Sequence, residues 1–407
     1  MTSRSFRLQA LAVLAAVLSC PVWARAEKSY DPGASDTEIR IGNTSPYSGP
    51  ASAYGNIGRT IEAVFRMAND AGGVNGRRLT FLTYDDAYAP PRALEMTRRL
   101  VEEDNVLVVF QTLGTAPNSA IHRYLNTKQV PQLFVASGAT KWGQPKAFPW
   151  TIGLQPSYAT EAAVYARHIL ANVPEPRIGI LMQNDDYGRD YLAGFMAGLG
   201  EANQRLVVLR ATYETTDPTV DSQIIALKGS GANVFFNITT PKFAAQAIRK
   251  AAEIGWRPAH YLNGVSASFA TVFKPAGLDA SQGIILALYR KDVTDPQWHD
   301  APDVQAWRAF MARYMPGADP ADDGHNYGYM AAHVLLEVLR KSGDDLTRAN
   351  IMRQAASLKQ FAAPLLLPGV TLTTGRDDFF PIESVRLGRV KGQSFELFGD
   401  VISVENR

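Results

Sequence analysis

The sequence predicts an α/β protein built from two doubly wound, parallel-sheet lobes. Strand-like and helix-like segments alternate from residue 38 onward, and the same alternation restarts after residue 151. Such alternation is typical of parallel sheets that helices cover on both faces. Of the 407 residues, 46% are hydrophobic and 20% are charged, which supplies enough apolar material for two lobes.

Hydrophobic periodicity defines the first series of elements. Ile57, Ile61 and Val64 fall on one face of a helix with about 3.6 residues per turn. Gly72 and Gly73 end that helix. Apolar and alternating stretches predict strands at 38–43, 79–84, 106–110 and 132–137. The helices of this series are predicted at 55–71, from Pro91 onward and at 117–128.

In the second series, strands and helices alternate in the same way, but three further helices and a strand-rich tail follow it. Its strands are predicted at 177–183, 206–213, 233–238, 260–264 and 283–289. Its helices are predicted at 159–171, 188–200, 219–229 and 241–254, and three more follow at 303–315, 326–342 and 347–358. The tail at 365–407 is rich in strand-forming residues but too short for a domain. We therefore expect it to complete one of the lobes.

The first 26 residues predict a secretory signal peptide. Two arginines precede an apolar run at 8–18, and an A-x-A cleavage site follows at 24–26. With these flanks the apolar run is too short for a membrane span. The only cysteine, Cys20, allows a lipoprotein signal as a second interpretation, although Leu18 stands where that signal prefers a small residue. We expect an exported chain, fully released, with no membrane span in its mature part.

Charge and motif content argue against several classes of protein. The net charge is only +2, so we expect no binding to nucleic acid. The common phosphate-binding, nucleophile and zinc motifs do not occur, and the six histidines lack metal-ligand spacing. Acidic pairs at 85–86, 185–186 and 322–323 are typical of strand ends and turns. We expect no enzymatic activity, no metal and no cofactor.

Loops after the predicted strands carry chemistry that suits recognition. In open parallel sheets, ligands lie beyond the carboxyl ends of the strands. The loops there include TSPYSGPASAYG (44–55), LGTAPNS (113–119) and ASGAT (136–140), which are rich in hydroxyls and glycines. For any single loop, turn and helix-cap chemistry is a sufficient reason for these residues. It is a weaker explanation for several such loops that converge on one cleft. Tyr47 and Tyr54 add apolar faces with phenolic tips, which suit a neutral or anionic solute.

These stretches resemble the branched-chain amino-acid-type periplasmic binding proteins. The matching segments are IRIGNTSPYSGPASAYG, RTIEAVFRMANDAGGVNGRRLTFLTYDD, QVPQLFVASGAT, NDDYGRDYLAGF and AIRKAAEIGW. The resemblance runs from about residue 38 to the C-terminus. It implies a type I fold with two lobes, a hinge of three crossovers and a ligand cleft that closes. It also implies a periplasmic location, a small-molecule ligand and an inner-membrane ABC permease as partner, and we expect a monomer.

The resemblance also suggests how the chain is divided between the lobes. We expect lobe I at 36–152, lobe II at 153–283, a second part of lobe I at 284–362 and a lobe II segment with the tail at 363–407. The tail, PLLLPGVTLTTGRDDFFPIESVRLGRVKGQSFELFGDV, is similar to the longer tail of the subgroup that captures aromatic acids.

The resemblance implies that the carboxylate half of an amino-acid site is kept. Family members hold the ligand carboxylate with a small residue of the LGT loop and with the last residues of ASGAT. The positions that match are Gly114, Thr115, Gly138, Ala139 and Thr140. Tyr187 matches the tyrosine of the family's YG pair in the second lobe. The full predicted ligand-binding set is Tyr47, Tyr54, Gly114, Thr115, Ser137, Gly138, Ala139, Thr140, Gln155, Tyr187, Thr239 and Ser266.

The resemblance also implies that the residues that bind the ligand ammonium in the family are missing from this chain. Gln155 stands where the family has an aspartate, and the loop at 263–268 has no glutamate. A threonine, Thr239 or Thr240, replaces the family's tyrosine. An uncompensated buried carboxylate would repel an acid that lacks an amine. We therefore expect a small carboxylate with an aromatic or phenylpropanoid-type body as the ligand of an ABC importer.

Two other interpretations stay open. The same fold can bind a branched-chain amino acid, an amide or urea, although the missing acids argue against the amino acid. An exported α/β hydrolase is the other, although the sequence has no nucleophile motif. Solute-binding proteins can also hand their ligand to a receptor, which would add a sensory role.

Overall fold

Strands and helices alternate along most of the chain, as the hydrophobic pattern predicts. The computed structural model describes residues 28–403, so the predicted signal peptide and Cys20 lie outside the described residues. The strands are β1 (Ser29–Tyr30), β2 (Glu38–Ser45), β3 (Arg78–Asp85), β4 (Val108–Phe110), β5 (Gln132–Val135), β6 (Thr151–Gly153), β7 (Ile178–Gln183), β8 (Val207–Tyr213), β9 (Val234–Ile238), β10 (Ala259–Leu262), β11 (Ile285–Leu288), β12 (Asp345–Leu346), β13 (Ser384–Lys391) and β14 (Ser394–Ser403).

Apart from the short helices α8 and α9, which were not predicted, the helices fall within a few residues of the predicted ranges. They are α1 (Gly55–Asp70), α2 (Pro90–Glu102), α3 (Thr115–Lys128), α4 (Tyr158–Asn172), α5 (Asp186–Leu199), α6 (Asp221–Gly229), α7 (Pro241–Glu253), α8 (Lys274–Ala276), α9 (Leu278–Ser281), α10 (Pro302–Tyr314), α11 (Asp323–Ser342) and α12 (Arg348–Ala355). Between residues 28 and 403, no helix has both the length and the apolar character needed to cross a bilayer.

The first sheet has five parallel strands in the order β3-β2-β4-β5-β6. Successive residues of β4 point to opposite faces, because side chains alternate along a strand. Val108 belongs to the core that includes Phe65 of α1, whereas Val109 packs in the core with Leu100 of α2 and Ile121 of α3. Helices therefore cover both faces of this sheet, as doubly wound topology requires.

The second sheet has seven strands in the order β14-β13-β11-β10-β9-β7-β8. Strands β7 to β11 run parallel, and β13 is antiparallel to both of its neighbours. Phe236 of β9 packs in the core with Phe195 of α5, and Phe235 packs on the other face with Phe243 of α7. The C-terminal hairpin thus extends a sheet that is again covered on both faces.

The chain passes between the two sheets three times. It leaves the first sheet after β6, leaves the second after β11 and returns to it with β13. Helix α11 lies so close to α1 that a Cβ on Gly328 would be 2.7 Å from the backbone oxygen of Ile57. Strand β11 belongs to the second sheet although it lies past residue 283, where we expected that lobe to end. The exact division into lobes stays a prediction.

One stretch predicted to be β-rich is not a strand. Residues 365–383, the first part of the predicted β-rich tail, contain turns and isolated bridges, such as the one that Leu372 forms with Phe361, with no strand or helix in that described range. Prolines at 364, 368 and 381 interrupt the apolar run and remove backbone donors. The leucines at 365, 366 and 367 are nevertheless buried in the main core. The apolar run therefore indicates that this segment is buried, although the segment does not form a strand.

Candidate ligand-binding cleft

A cleft of about 880 Å³, measured to its open mouth, lies where the carboxyl ends of the two sheets meet. Tyr88 follows β3 and Leu113 follows β4 on one side. Tyr187 follows β7 and Thr240 follows β9 on the other side. Parallel strands place their carboxyl ends on one edge of a sheet, so two such edges that face each other form a cavity lined by loops.

Tyrosine is the dominant side chain of the cleft wall. The six tyrosines that line the cleft are Tyr54, Tyr88, Tyr158, Tyr187, Tyr289 and Tyr327. Tyr158 stacks on Tyr191 with ring centroids 4.4 Å apart and meets Tyr187 edge-on at 5.3 Å. Burial raises the pKa of Tyr158 to about 12, so its phenol stays neutral in the physiological range. The wall therefore offers ring faces held in place by packing, with uncharged polar tips.

Contacts between the two sides hold the cleft in a closed arrangement. The hydroxyl of Tyr54 donates to the backbone oxygen of Val265 at 3.2 Å. The backbone N–H and the hydroxyl of Thr140 both donate to Asp190 of α5, at 3.0 and 2.9 Å. Each contact joins an element next to the first sheet to one next to the second, and opening the cleft would break them.

Three carboxylates line the cleft, and none of them belongs to the loops predicted to form it. Glu161 accepts hydrogen bonds from the hydroxyls of Tyr165 and Tyr191, both at 2.8 Å, and from the N–H of Gly264 at 2.6 Å. Burial raises the pKa of Glu161 to about 7 in spite of these donors. Glu161 comes from α4 and not from a loop that follows a strand, so the replacement of the family's two acids does not leave the cleft without a carboxylate.

The other two acids lie at the start of α11. Asp322 caps the helix by accepting from the N–H of Gly324 at 2.9 Å, and it also accepts from Asn56 at 2.6 Å. Asp323 accepts from Nη2 of Arg290 at 2.7 Å. All three carboxylates of the wall thus have protein donors, and none is left to act as a bare negative charge.

Arg290 is the basic group among the lining residues of the described chain. Its guanidinium carbon lies 4.8 Å from the ring centroid of Tyr289 and 5.0 Å from that of Tyr327. The side chain is 10% exposed, and Asp323 is its ion-pair partner. The Arg290 guanidinium thus stacks on aromatic rings and is paired with one carboxylate. Its remaining N–H groups can donate to a further acceptor.

Five of the twelve predicted ligand-binding residues line this cleft. They are Tyr54, Gly114, Thr115, Gln155 and Tyr187. Gly114 has a φ of +92°, and a Cβ at this position would lie 2.3 Å from the ring of Tyr88. Glycine is therefore needed there both for the backbone conformation and for the approach of a wall tyrosine.

The other seven are not among the lining residues of the described chain. Their polar atoms bond to protein groups: Tyr47 to Thr83, Thr140 to Asp190, Ser137 to Thr115 and Trp142, Thr239 to Asn237, and Ser266 to the backbone of Thr239. Gly138 lets the backbone of Pro156 and the ring of Tyr158 approach, and Ala139 is buried. These residues support the wall from behind, and a direct role in ligand binding stays a prediction for all twelve.

Several lining residues escaped prediction from the sequence. Tyr289 and Arg290 come directly after β11, so the rule that directs attention to strand ends could have found them. Tyr88 likewise follows β3 within three residues. Glu161 and Tyr327 sit inside helices, and no local signal distinguishes them from ordinary core residues.

Comparison with known proteins agrees with this geometry. A family model described as periplasmic binding protein matches residues 38–394. The leucine-, isoleucine-, valine-, threonine- and alanine-binding protein of Pseudomonas aeruginosa is 25% identical over 315 residues, which cover 76% of this chain and 80% of that protein.

Two solved structures are similar to the whole described fold. One is a branched-chain amino acid ABC transporter protein from Thermus thermophilus with bound valine, with a TM-score of 0.81, 15% identity and coverage of 90% of this chain and 97% of that chain. The other is a solute-binding protein from R. palustris in complex with benzoate, with a TM-score of 0.75, 20% identity and coverage of 90% and 98%. The type I fold is confirmed, and the chain belongs to the periplasmic binding protein family, of the branched-chain amino-acid type.

Proposed function

We propose that this protein captures a small aromatic or phenylpropanoid-type carboxylate and delivers it to the inner-membrane permease of an ABC importer. The observation that carries the proposal is the cleft wall, which contains six tyrosines and one arginine, Arg290, packed on two of them. A ring fits the tyrosine faces, and a carboxylate fits the cationic end. In this proposal the protein works in the periplasm as a monomeric binding protein and not as an enzyme.

The tyrosines favour a flat, apolar ligand body. Aromatic pairs prefer offset-stacked or edge-to-face contacts, and each such pair adds about 0.5–1.5 kcal/mol beyond the area it buries. Tyr158 is already held by stacking on Tyr191, so a ligand that meets it loses little additional side-chain freedom. The benzoate bound by the R. palustris protein is a ligand of this shape and supports the proposal by analogy.

The three carboxylates of the cleft wall already accept hydrogen bonds from protein groups, which favours a ligand without an amine. Glu161 has three donors, Asp322 has two, and Asp323 is paired with Arg290. An α-ammonium in the cleft would have to compete with these donors for a carboxylate. A buried cation without a partner costs several kcal/mol, and an acid that lacks the amine avoids this cost.

A branched-chain amino acid is the second candidate. It is favoured by Asp322 and Asp323, which lie at the wall beside Arg290 and together form a zwitterionic pattern. The ligands named for the P. aeruginosa and T. thermophilus proteins also point in this direction. A hydrolase is the third candidate, and it would be recognised by chemical change of the ligand, whereas a binding protein releases it intact.

Titration calorimetry with benzoate, cinnamate, leucine and phenylalanine tests the proposal. We expect an arylcarboxylate to bind at least about tenfold more tightly than either amino acid, a difference of about 1.4 kcal/mol. Leucine binding at sub-micromolar concentration, with no response to the aromatic acids, would establish the second candidate instead. A thermal-shift screen gives an independent readout, because a ligand at about 100 times its Kd adds about 2.7 kcal/mol of stability.

A further inference from the structure

The position of Arg290 in the chain places it at the hinge and at the wall simultaneously. It follows β11 by two residues, where the chain leaves the second sheet. Its partner Asp323 is the first residue of α11, which packs on α1 beside the first sheet. The pair therefore joins the two halves of the molecule at the inner end of the cleft.

The hydrogen bonds of Arg290 leave most of its donors unused. A guanidinium has five N–H groups in one plane. Nη2 donates to Asp323, whereas Nε and Nη1 are buried and have no hydrogen-bond partner among the described residues. The ring centroids of Tyr289 and Tyr327 lie 4.8 and 5.0 Å from the guanidinium carbon. Buried donors of a charged group are costly to leave unpaired, so this geometry calls for an additional acceptor.

We propose that Arg290 binds the carboxylate of the ligand and that Asp323 is a positioning residue that fixes the orientation of the guanidinium. The inference rests on the proposed function, since it needs a ligand with a carboxylate. Arginine presents a planar fork that matches a carboxylate through two parallel N–H···O bonds. Because it has five donors, one guanidinium can bond to Asp323 and to a ligand together.

The alternative carboxylate site, the ASGAT loop, has its donors already engaged. Both donors of Thr140 bond to Asp190. The hydroxyl of Ser137 is bonded to Thr115 and accepts from the indole N–H of Trp142. Among the described residues, Arg290 is thus the lining group with both a positive charge and free donors.

Paired probes of nearly the same shape, one a carboxylate and the other its neutral-headed amide, test the assignment. We compare benzoate with benzamide, and leucine with leucinamide, by calorimetry on wild type, Arg290→Gln and Arg290→Lys. Arg290→Gln should weaken benzoate binding by roughly thirtyfold and benzamide binding by less than about threefold. Arg290→Lys keeps the charge and loses the fork, so it should show an intermediate loss. Arg123→Gln, at an exposed position of α3, is the matched control and should change neither.

Variants of Asp323 show whether Arg290 binds the ligand or serves only as a structural ion-pair partner of Asp323. Asp323→Asn removes the negative charge beside Arg290 but keeps an oxygen that can accept from Nη2, so it should tighten benzoate binding at least twofold. Asp323→Ala also removes the positioning acceptor and should bind benzoate more weakly than Asp323→Asn. If Arg290→Gln unfolds because Asp323 is left unpaired, the double variant Arg290→Gln/Asp323→Asn removes both charges and should still lose benzoate selectively. Equal losses for acid and amide in the arginine variants, or no loss, would overturn the assignment.

The same panel distinguishes failure of this inference from failure of the proposed function. If wild type binds leucine and not benzoate, the aromatic proposal is overturned, and the comparison of leucine with leucinamide then decides the role of Arg290. If wild type binds benzoate and Arg290→Gln keeps its preference for the acid over the amide, only the assignment to Arg290 is overturned. If wild type binds none of these carboxylates, both are overturned.

Discussion

Lys141 and Asp186 form an ion pair of 2.8 Å that joins the two halves of the protein across the rim of the cleft. Lys141 lies in the loop after β5, and Asp186 is the first residue of α5 beside the second sheet. Lys141 also donates to Ser119 at 2.6 Å, so the contact is part of a small polar network. Rotation of the two lobes away from each other would break such contacts, so they make closure measurable.

We expect ligand binding to shift the protein toward this closed arrangement. The three crossovers let the lobes rotate as rigid bodies, and a ligand that contacts both walls favours closure. Small-angle X-ray scattering with and without saturating ligand should show a smaller radius of gyration in the bound state. An unchanged radius would mean that ligand enters a cleft that is already closed.

Lys141→Met should weaken ligand binding by about twofold to fivefold, because it removes one contact of the closed state. The pair is partly exposed, so its contribution is at most about 1 kcal/mol and should shrink as salt is added. Lys141 and Arg189 hold the pKa of Asp186 at about 2, so the effect should persist from pH 5 to 8. Lys128→Met breaks an ion pair with Glu102 beside the first sheet and should leave affinity unchanged.

Thr140→Ala should lower affinity by about 0.5–1.5 kcal/mol through the loss of its hydroxyl bond to Asp190 across the cleft. The loss should be the same for benzoate and benzamide, because the substitution affects closure and not recognition of charge. Calorimetry with both probes measures the difference. A loss confined to benzoate would instead show that the ASGAT loop holds the anion, as the family resemblance implies.

Glu161 should make the free energy of unfolding fall as pH rises from 5 to 8. Burial raises its pKa to about 7 in the folded protein, above the ordinary value of 4.5. The folded state therefore holds a proton that the unfolded state has lost, and stability falls between these two values by up to about 3 kcal/mol. Urea denaturation at several pH values should show this slope in wild type and a flatter one in Glu161→Gln. Parallel slopes in the two proteins would place the linked proton elsewhere.

Gly114→Ala should destabilise the protein by about 1–3 kcal/mol and weaken ligand binding, because its Cβ would displace the ring of Tyr88 and the backbone has a positive φ. Gly229→Ala is the matched control, since nothing lies within 4 Å of a Cβ at that position. Thermal unfolding and calorimetry compare the two. Equal behaviour of both variants would show that the loop of Gly114 can adapt.

The sequence by itself determined the architecture and part of the cleft. Hydrophobic periodicity is a local property, so it located the strands and helices of both sheets within a few residues. Loops at strand ends follow from topology, which is why Tyr54, Gly114, Thr115, Gln155 and Tyr187 reach the cleft wall as expected. At residues 365–383 an apolar run misled the prediction, because burial without a strand leaves the same pattern.

The tertiary structure alone decided which charged groups line the cleft. Glu161 comes from the interior of α4, and Arg290 meets Asp323 from 33 positions away along the chain. Thr140, which the family resemblance assigns to the ligand, bonds to Asp190 on the opposite lobe, and its role in ligand binding stays a prediction. Which way a side chain points depends on how strand ends turn and how the two lobes pack. These are long-range relationships that no local pattern encodes.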